Sequence, residues 1–193
     1  ESLVTTKRNP SSIRHARLAF ELIQANLPAV FKDPQNLESR GKVLLGASHA
    51  GAAIERSMLG AVHSMANPLT SSREVVHGIA VGMVLPKVMK FNAAHVETNS
   101  IYADLARNSN LVKADSSDSE AAQSLIDRIC KILELANIPS SLEEQGFVHT
   151  EIDSLAQAAS EQWTANFNPR PVNADDFKNL YSLLFSSMPC TSQ

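Results

Sequence analysis

Two histidines stand in the most apolar, glycine-rich stretch of this chain, and of all its residues they are the best suited to chemistry. One lies in Gly60-Ala61-Val62-His63-Ser64-Met65-Ala66-Asn67-Pro68. The other lies in Val76-His77-Gly78-Ile79-Ala80-Val81-Gly82-Met83-Val84-Leu85-Pro86. Each falls at the edge of a helical pattern, with the polar turn Thr70-Ser71-Ser72-Arg73-Glu74 between them. Neutral imidazole is the commonest side-chain ligand for divalent transition metals. A buried imidazole with no charged neighbour in sequence needs a partner, which a metal or a hydrogen bond inside the core can equally supply. The residue types alone leave both open. Asn67 adds a group that can hydrogen-bond a hydroxyl but takes up no proton near neutral pH. Without a chemical role, Asn67-Pro68 is a turn that ends a short helix.

The elements that must position these residues read as helices. From Asn9 to about Val30, Ile13, Ala16, Leu18, Ala19, Leu22, Ile23 and Leu27 recur at helical spacing, with Asn9 as N-cap and Pro10 at the first helical position. A second helix from about Asn36 to Ser57 carries Gly46, Ala47, Ala50, Gly51, Ala52 and Ala53, a density of small residues that predicts a central, buried helix. A short segment from Leu59 to Ala66 breaks at Asn67-Pro68. A helix from His77 to about Ala94 is expected to kink or restart at Pro86. Amphipathic helices follow near Thr98–Asn108, Ser119–Asn137, Glu151–Thr164 and Ala174–Ser186. Candidate caps are Ser116-Ser117-Asp118, Thr150 and the Asn173 to Asp175 run. No sustained period-two pattern and no internal repeat occurs, so the expected fold is one all-α helical bundle of about seven helices spanning 1–193.

Composition excludes several classes. The 193 residues are 44% hydrophobic, 19% charged and only 5% aromatic, which suits helix-on-helix packing in a globular domain. A net charge of −3, with no basic run interleaved with aromatics, argues against a nucleic-acid surface. The longest apolar stretch, around Gly78 to Leu85, is too short to span a bilayer, so no membrane partner is expected. No glycine-rich strand-to-helix turn is present to hold a dinucleotide pyrophosphate. Cys130 and Cys190 read as two free thiols. His15 falls on a polar helix face, His95 and His149 at helix ends or in loops, and His49 in a core or interface position. Met65, Met83 and Met89 read as core, and Trp163 and Phe167 as residues closing the base of the bundle.

The two histidine runs resemble the C-terminal signature of the iron-containing alcohol dehydrogenases, where G-x-x-H-x-x-x-H precedes a loop and H-G-x-x-x-x-x-x-L-P. Gly60 and His63 match the first block, and His77, Gly78, Leu85 and Pro86 match the second. Glu1 with Asn9-Pro10, Ala50-Gly51, Phe91-Asn92 and Asn168-Pro169-Arg170 match further family positions in the right order.

This resemblance implies a divalent metal, iron or zinc, between a nucleotide-binding α/β domain and this helical domain. His63 and His77 would be two of its four ligands. An Asp and a His from a D-x-x-x-H motif would supply the others, and both would lie upstream of Glu1. The metal would act as a Lewis acid on an alcohol oxygen while hydride passes to NAD or NADP, held mainly by the absent N-terminal domain. The substrate would be a small alcohol or aldehyde, and the parent enzyme cytoplasmic and homo-oligomeric. Asn67 replaces a second histidine that many members carry near nicotinamide and substrate, which leaves it a substrate-side or nicotinamide-side role without proton relay. The chain alone, lacking half of the ligands, is expected to be inactive. Two alternatives remain: a glycerol dehydrogenase-like zinc enzyme as parent, or a non-catalytic helical module.

Overall fold

The computed structural model describes residues 1–185, and among these every regular element is helical. Eight α-helices follow a leading segment of turns: α1 (Pro10–Lys32), α2 (Leu37–Arg56), α3 (Ala61–Arg73), α4 (His77–Ala93), α5 (Val96–Asn108), α6 (Asp118–Leu135), α7 (Ile152–Ser160) and α8 (Ala174–Ser182). Single 3-10 turns occupy Glu143–Gln145, His149–Glu151 and Trp163–Phe167. The expected all-α class holds.

Local chemistry explains most boundaries. Asn9 accepts from the backbone N–H groups of Ser11 and Ser12, while the Ser12 hydroxyl accepts from Asn9 N, so α1 opens on a reciprocal cap with Pro10 behind it. Ser117 with Glu120 and Asn173 with Asp176 repeat that device on α6 and α8. Helix α3 closes at Glu74, whose φ of 55° is left-handed, and three residues later α4 begins.

Two apolar clusters form the core. One gathers Met65 and Leu69 of α3, Val84 and Val88 of α4, Leu155 of α7 and Phe177 and Tyr181 of α8. The other gathers Leu3 and Val4, Met89 of α4, Tyr102 and Leu105 of α5, and Leu125 and Ile126 of α6. Helix α4 contributes to both, so the chain's most apolar helix is the axis of the bundle. Met65, Met83 and Met89 are buried in these clusters, as expected.

The structure corrects several expectations. Helix α3 runs through Asn67-Pro68 to Arg73, and α4 continues through Pro86 without restarting. In both, the proline is buried among packed neighbours whose contacts outweigh one lost backbone bond. Helix α2 is peripheral rather than central. Only Ser39, Gly46 and Ala53 are buried on it, while Leu37 and Leu44 are 79% and 73% exposed. Trp163 stacks edge-on against Phe167 but is 59% exposed, so it caps the bundle without being buried in it. Thr150 lies in the 3-10 turn before α7 and does not cap it. Cys130 is buried and disulfide-bonded, so the expected free thiol is not found there; Cys190 lies outside the described residues. No described helix is long and apolar enough to cross a membrane.

Candidate metal centre

His63 is the third residue of α3 and His77 the first of α4. The short link after Glu74 turns α4 back along α3 and brings the two rings together, 5.4 Å between centroids with planes at 50°. Two imidazoles on one tetrahedral ion, at metal–nitrogen distances of about 2.0–2.1 Å, place their centroids about 5 Å apart. The observed spacing is compatible with two ligands of one ion. In both histidines Nδ1 faces a protein oxygen. The Glu1 carboxylate accepts from Nδ1 of His63, and Thr70 Oγ1 lies 3.4 Å from Nδ1 of His77. The carboxylate makes Nδ1 the donor in His63 and leaves Nε2 open there, whereas the Thr70 hydroxyl can donate to or accept from the exposed His77 ring.

The face continues along α3. Asn67 and Thr70 follow His63 by four and seven residues and are half-buried like it, among otherwise buried neighbours. Asn67 Nδ2 donates to Gln162 Oε1 at 2.9 Å, so the side chain expected to end a helix is instead held on the face that carries His63. His63, His77 and Asn67 are thus brought together on one face with Thr70 and Gln162. Among the described residues no group of three or more His, Cys, Asp or Glu side chains is arranged to hold a metal ion. The donor set fits a divalent ion as two cis imidazoles, with further ligands required from elsewhere.

The N-terminus of α3 explains why distant motifs belong to this site. Its N-cap is Gly60, which has no side chain to satisfy the first N–H groups. Glu1 Oε1 accepts from Gly60 N at 2.9 Å and from Val62 N at 2.8 Å, and Asn168 Oδ1 accepts from Ala61 N at 3.2 Å. Asn168 is buried and exchanges two amide hydrogen bonds with Asn92, at 3.0 and 2.7 Å. Arg170 lies over the Phe91 ring at 3.7 Å and donates to the Phe91 carbonyl at 2.8 Å. Phe91-Asn92 and Asn168-Pro169-Arg170 are therefore a scaffold that caps α3, not ligands.

The Glu1 carboxyl is held below its ordinary value. Burial pushes it up, while the hydrogen bond and charge of His63 and the Val62 N–H pull it down. It also lines a mostly apolar cavity of about 260 Å³ with Leu3, Phe20, Val62, Met89 and Tyr102.

Sequence spacing could not show the Glu1 contact, because Glu1 and His63 are 62 residues apart. The pairing of His15 with His49 was missed for the same reason. Their Nδ1 atoms meet at 2.9 Å, one ring donating and the other accepting, which ties α1 to α2. His95 is the N-cap residue of α5, with Nδ1 3.1 Å from Thr98 Oγ1, and His149 packs on Phe185 with ring centroids 4.2 Å apart.

Comparison with known proteins places this geometry. The chain is 28% identical over 184 residues to 1-propanol dehydrogenase PduQ of Salmonella typhimurium, covering 93% of this chain and 50% of that protein. It is 32% identical over 140 residues to lactaldehyde reductase of Escherichia coli, covering 72% of this chain and 36% of the relative. A crystal structure of 1,3-propanediol oxidoreductase superposes with a TM-score of 0.91 at 27% identity, over 96% of this chain and 48% of the other. An alcohol dehydrogenase from Oenococcus oeni superposes at 0.90 and 26% identity, again over 96% of this chain and 48% of the other. The chain thus spans half or less of the length of the curated relatives it matches. The model of the Fe-containing alcohol dehydrogenase family, C-terminal, matches residues 1–185, and the chain belongs to that family.

Proposed function

We propose that this chain is the metal-carrying half of an NAD(P)-dependent alcohol dehydrogenase acting on small alcohols or aldehydes, with His63 and His77 as two ligands of an iron or zinc ion. The observation that carries this reading is the pairing of the two rings at ligand spacing, with Nδ1 of each facing a protein oxygen. When bound, the ion supplies Lewis acidity toward the substrate oxygen. The remaining ligands and the nucleotide-binding residues belong to sequence upstream of this chain, and the working enzyme is a cytoplasmic homo-oligomer.

The protein's own part is positional. Helix α3 and the start of α4 fix two imidazoles at one edge of a rigid bundle, and Glu1 and Thr70 face their inner nitrogens. Asn67, one turn beyond His63, donates one N–H of its amide to Gln162, which leaves its carbonyl oxygen and its second N–H for the substrate side. That oxygen accepts a hydrogen bond from a substrate or ribose hydroxyl and moves no proton. Relatives named as a 1-propanol dehydrogenase and a lactaldehyde reductase support the substrate class.

Metal analysis of the full-length protein with His63→Ala and His77→Ala tests the assignment. Each substitution is expected to lower metal occupancy, because it removes one of the four proposed ligands and leaves an incomplete set. Full occupancy in both variants would show that these are not the ligands. The 193-residue chain serves as the companion preparation. It is expected to show no NAD-dependent alcohol oxidation, and measurable turnover would place the whole catalytic machinery within it.

A further inference from the structure

We propose that Glu1 is a positioning residue that selects which nitrogen His63 offers to the metal. The proposal rests on the reading of His63 as a ligand and deepens it. One carboxylate performs two tasks. Its Oε1 satisfies the N–H groups of Gly60 and Val62, at 2.9 and 2.8 Å, at a helix end whose N-cap has no side chain of its own. Its Oε2 faces Nδ1 of His63. A carboxylate is acceptor-only, so Nδ1 must carry a proton, and the neutral ring then offers its lone pair at Nε2. Both side chains are largely withdrawn from water, with 10% of Glu1 and 20% of His63 exposed, so solvent competes weakly for either atom. The negative charge also lies where the first turn of α3 favours it.

Coupling follows from the geometry. The oxygen that holds the start of α3 and the oxygen that orients the ring belong to one rigid planar group, so the helix end and the imidazole are fixed relative to each other. The isosteric Glu1→Gln separates the tasks. Its single oxygen still accepts from Gly60 and Val62, which keeps the cap. Its NH₂ then faces His63 and donates, which requires a lone pair on Nδ1 and drives the ring to the tautomer protonated at Nε2. The nitrogen meant for the metal is thereby closed.

The experiment uses the full-length protein stripped of metal, with zinc alone as the probe. Long-range proton–nitrogen spectra of the metal-free wild type, with His63 identified by its loss in His63→Ala, are expected to show His63 protonated at Nδ1. Glu1→Gln is expected to show it protonated at Nε2, with unchanged helix content. Zinc affinity from chelator competition should fall about 10–100-fold in Glu1→Gln, the range for loss of a partner behind a ligand. Wild-type His63 protonated at Nε2 would overturn the proposal without any variant. So would unchanged zinc affinity in Glu1→Gln beside a weakened His63→Ala. Unchanged affinity in His63→Ala would instead overturn the ligand reading, and this proposal with it.

Discussion

Gly60 is confined by two oxygen atoms. A Cβ built there would lie 3.0 Å from Asn168 Oδ1 and 3.2 Å from Glu1 Oε1, the two acceptors that cap α3. Its backbone, at φ −147° and ψ −144°, shows no left-handed strain, so the requirement for glycine is one of space. Gly60→Ala therefore has to push both caps away from the N–H groups they serve. We expect a loss of about 1–3 kcal/mol, from overpacking and weakened capping together. Because the Glu1 carboxylate moves with its cap, metal retention should weaken in the same variant. Denaturant midpoints and metal content of the full-length protein check this, and wild-type values for both would show that the caps yield freely. The glycine was legible as part of a motif, but its reason was not. The two caps reach Gly60 and Ala61 from 59 and 107 positions away along the chain, and spacing arguments reach only a few turns.

Helix α2 shows how a sound local rule can mislead about an element. Its small residues let another backbone approach, and that part of the reading is right. The approach is confined to Ser39, Gly46 and Ala53, spaced by seven along a single seam against α1. The rest of the helix is largely open, because small residues permit close packing without specifying how many sides receive it. Two glycines separate the roles. A Cβ on Gly46 would fall 2.7 Å from Ile23 Cγ1 and 3.2 Å from the Ala19 carbonyl oxygen, whereas one on Gly51 meets nothing within 4 Å. Gly46→Ala should destabilise the chain by about 1–3 kcal/mol through forced separation of α1 and α2. Gly51→Ala should stabilise it by up to about 1 kcal/mol, the propensity gain of alanine over glycine. Urea unfolding of both variants decides the matter, and equal shifts would mean that the seam is not a close contact. The same limit explains Pro68 and Pro86, where a breaker read locally is overridden by burial that no local window contains.

At the scale of the whole molecule, helical periodicity and caps made the class and most helix positions legible, and the paired histidine blocks marked two rings that the fold brings together. The partition of the core into two clusters was not legible, since apolar residues of one helix carry no label for the neighbour they will meet. Helix α4 joins the clusters, with Val84 and Val88 in one and Met89 in the other, which argues that they unfold together. The chain's two tyrosines report on this, one from each cluster. Burial raises the phenol pKa of Tyr102, with the Glu1 charge adding to it and the Asn92 hydrogen bond opposing; burial also raises that of Tyr181, whose hydroxyl donates to the Met65 carbonyl at 2.7 Å. The neutral phenols are thus favoured in the folded state. An unfolded tyrosine ionises near pH 10, so above that pH the folded chain holds more protons than the unfolded one. This contribution to stability is complete below about pH 10 and declines as pH rises further. On alkaline titration, followed by phenolate absorbance and helical circular dichroism together, both phenolates should appear in one step that coincides with the loss of helix. Tyr102→Phe and Tyr181→Phe should each halve that absorbance step. Two separated steps, or phenolate formed while the helices persist, would mean that the clusters open independently and that α4 does not couple them.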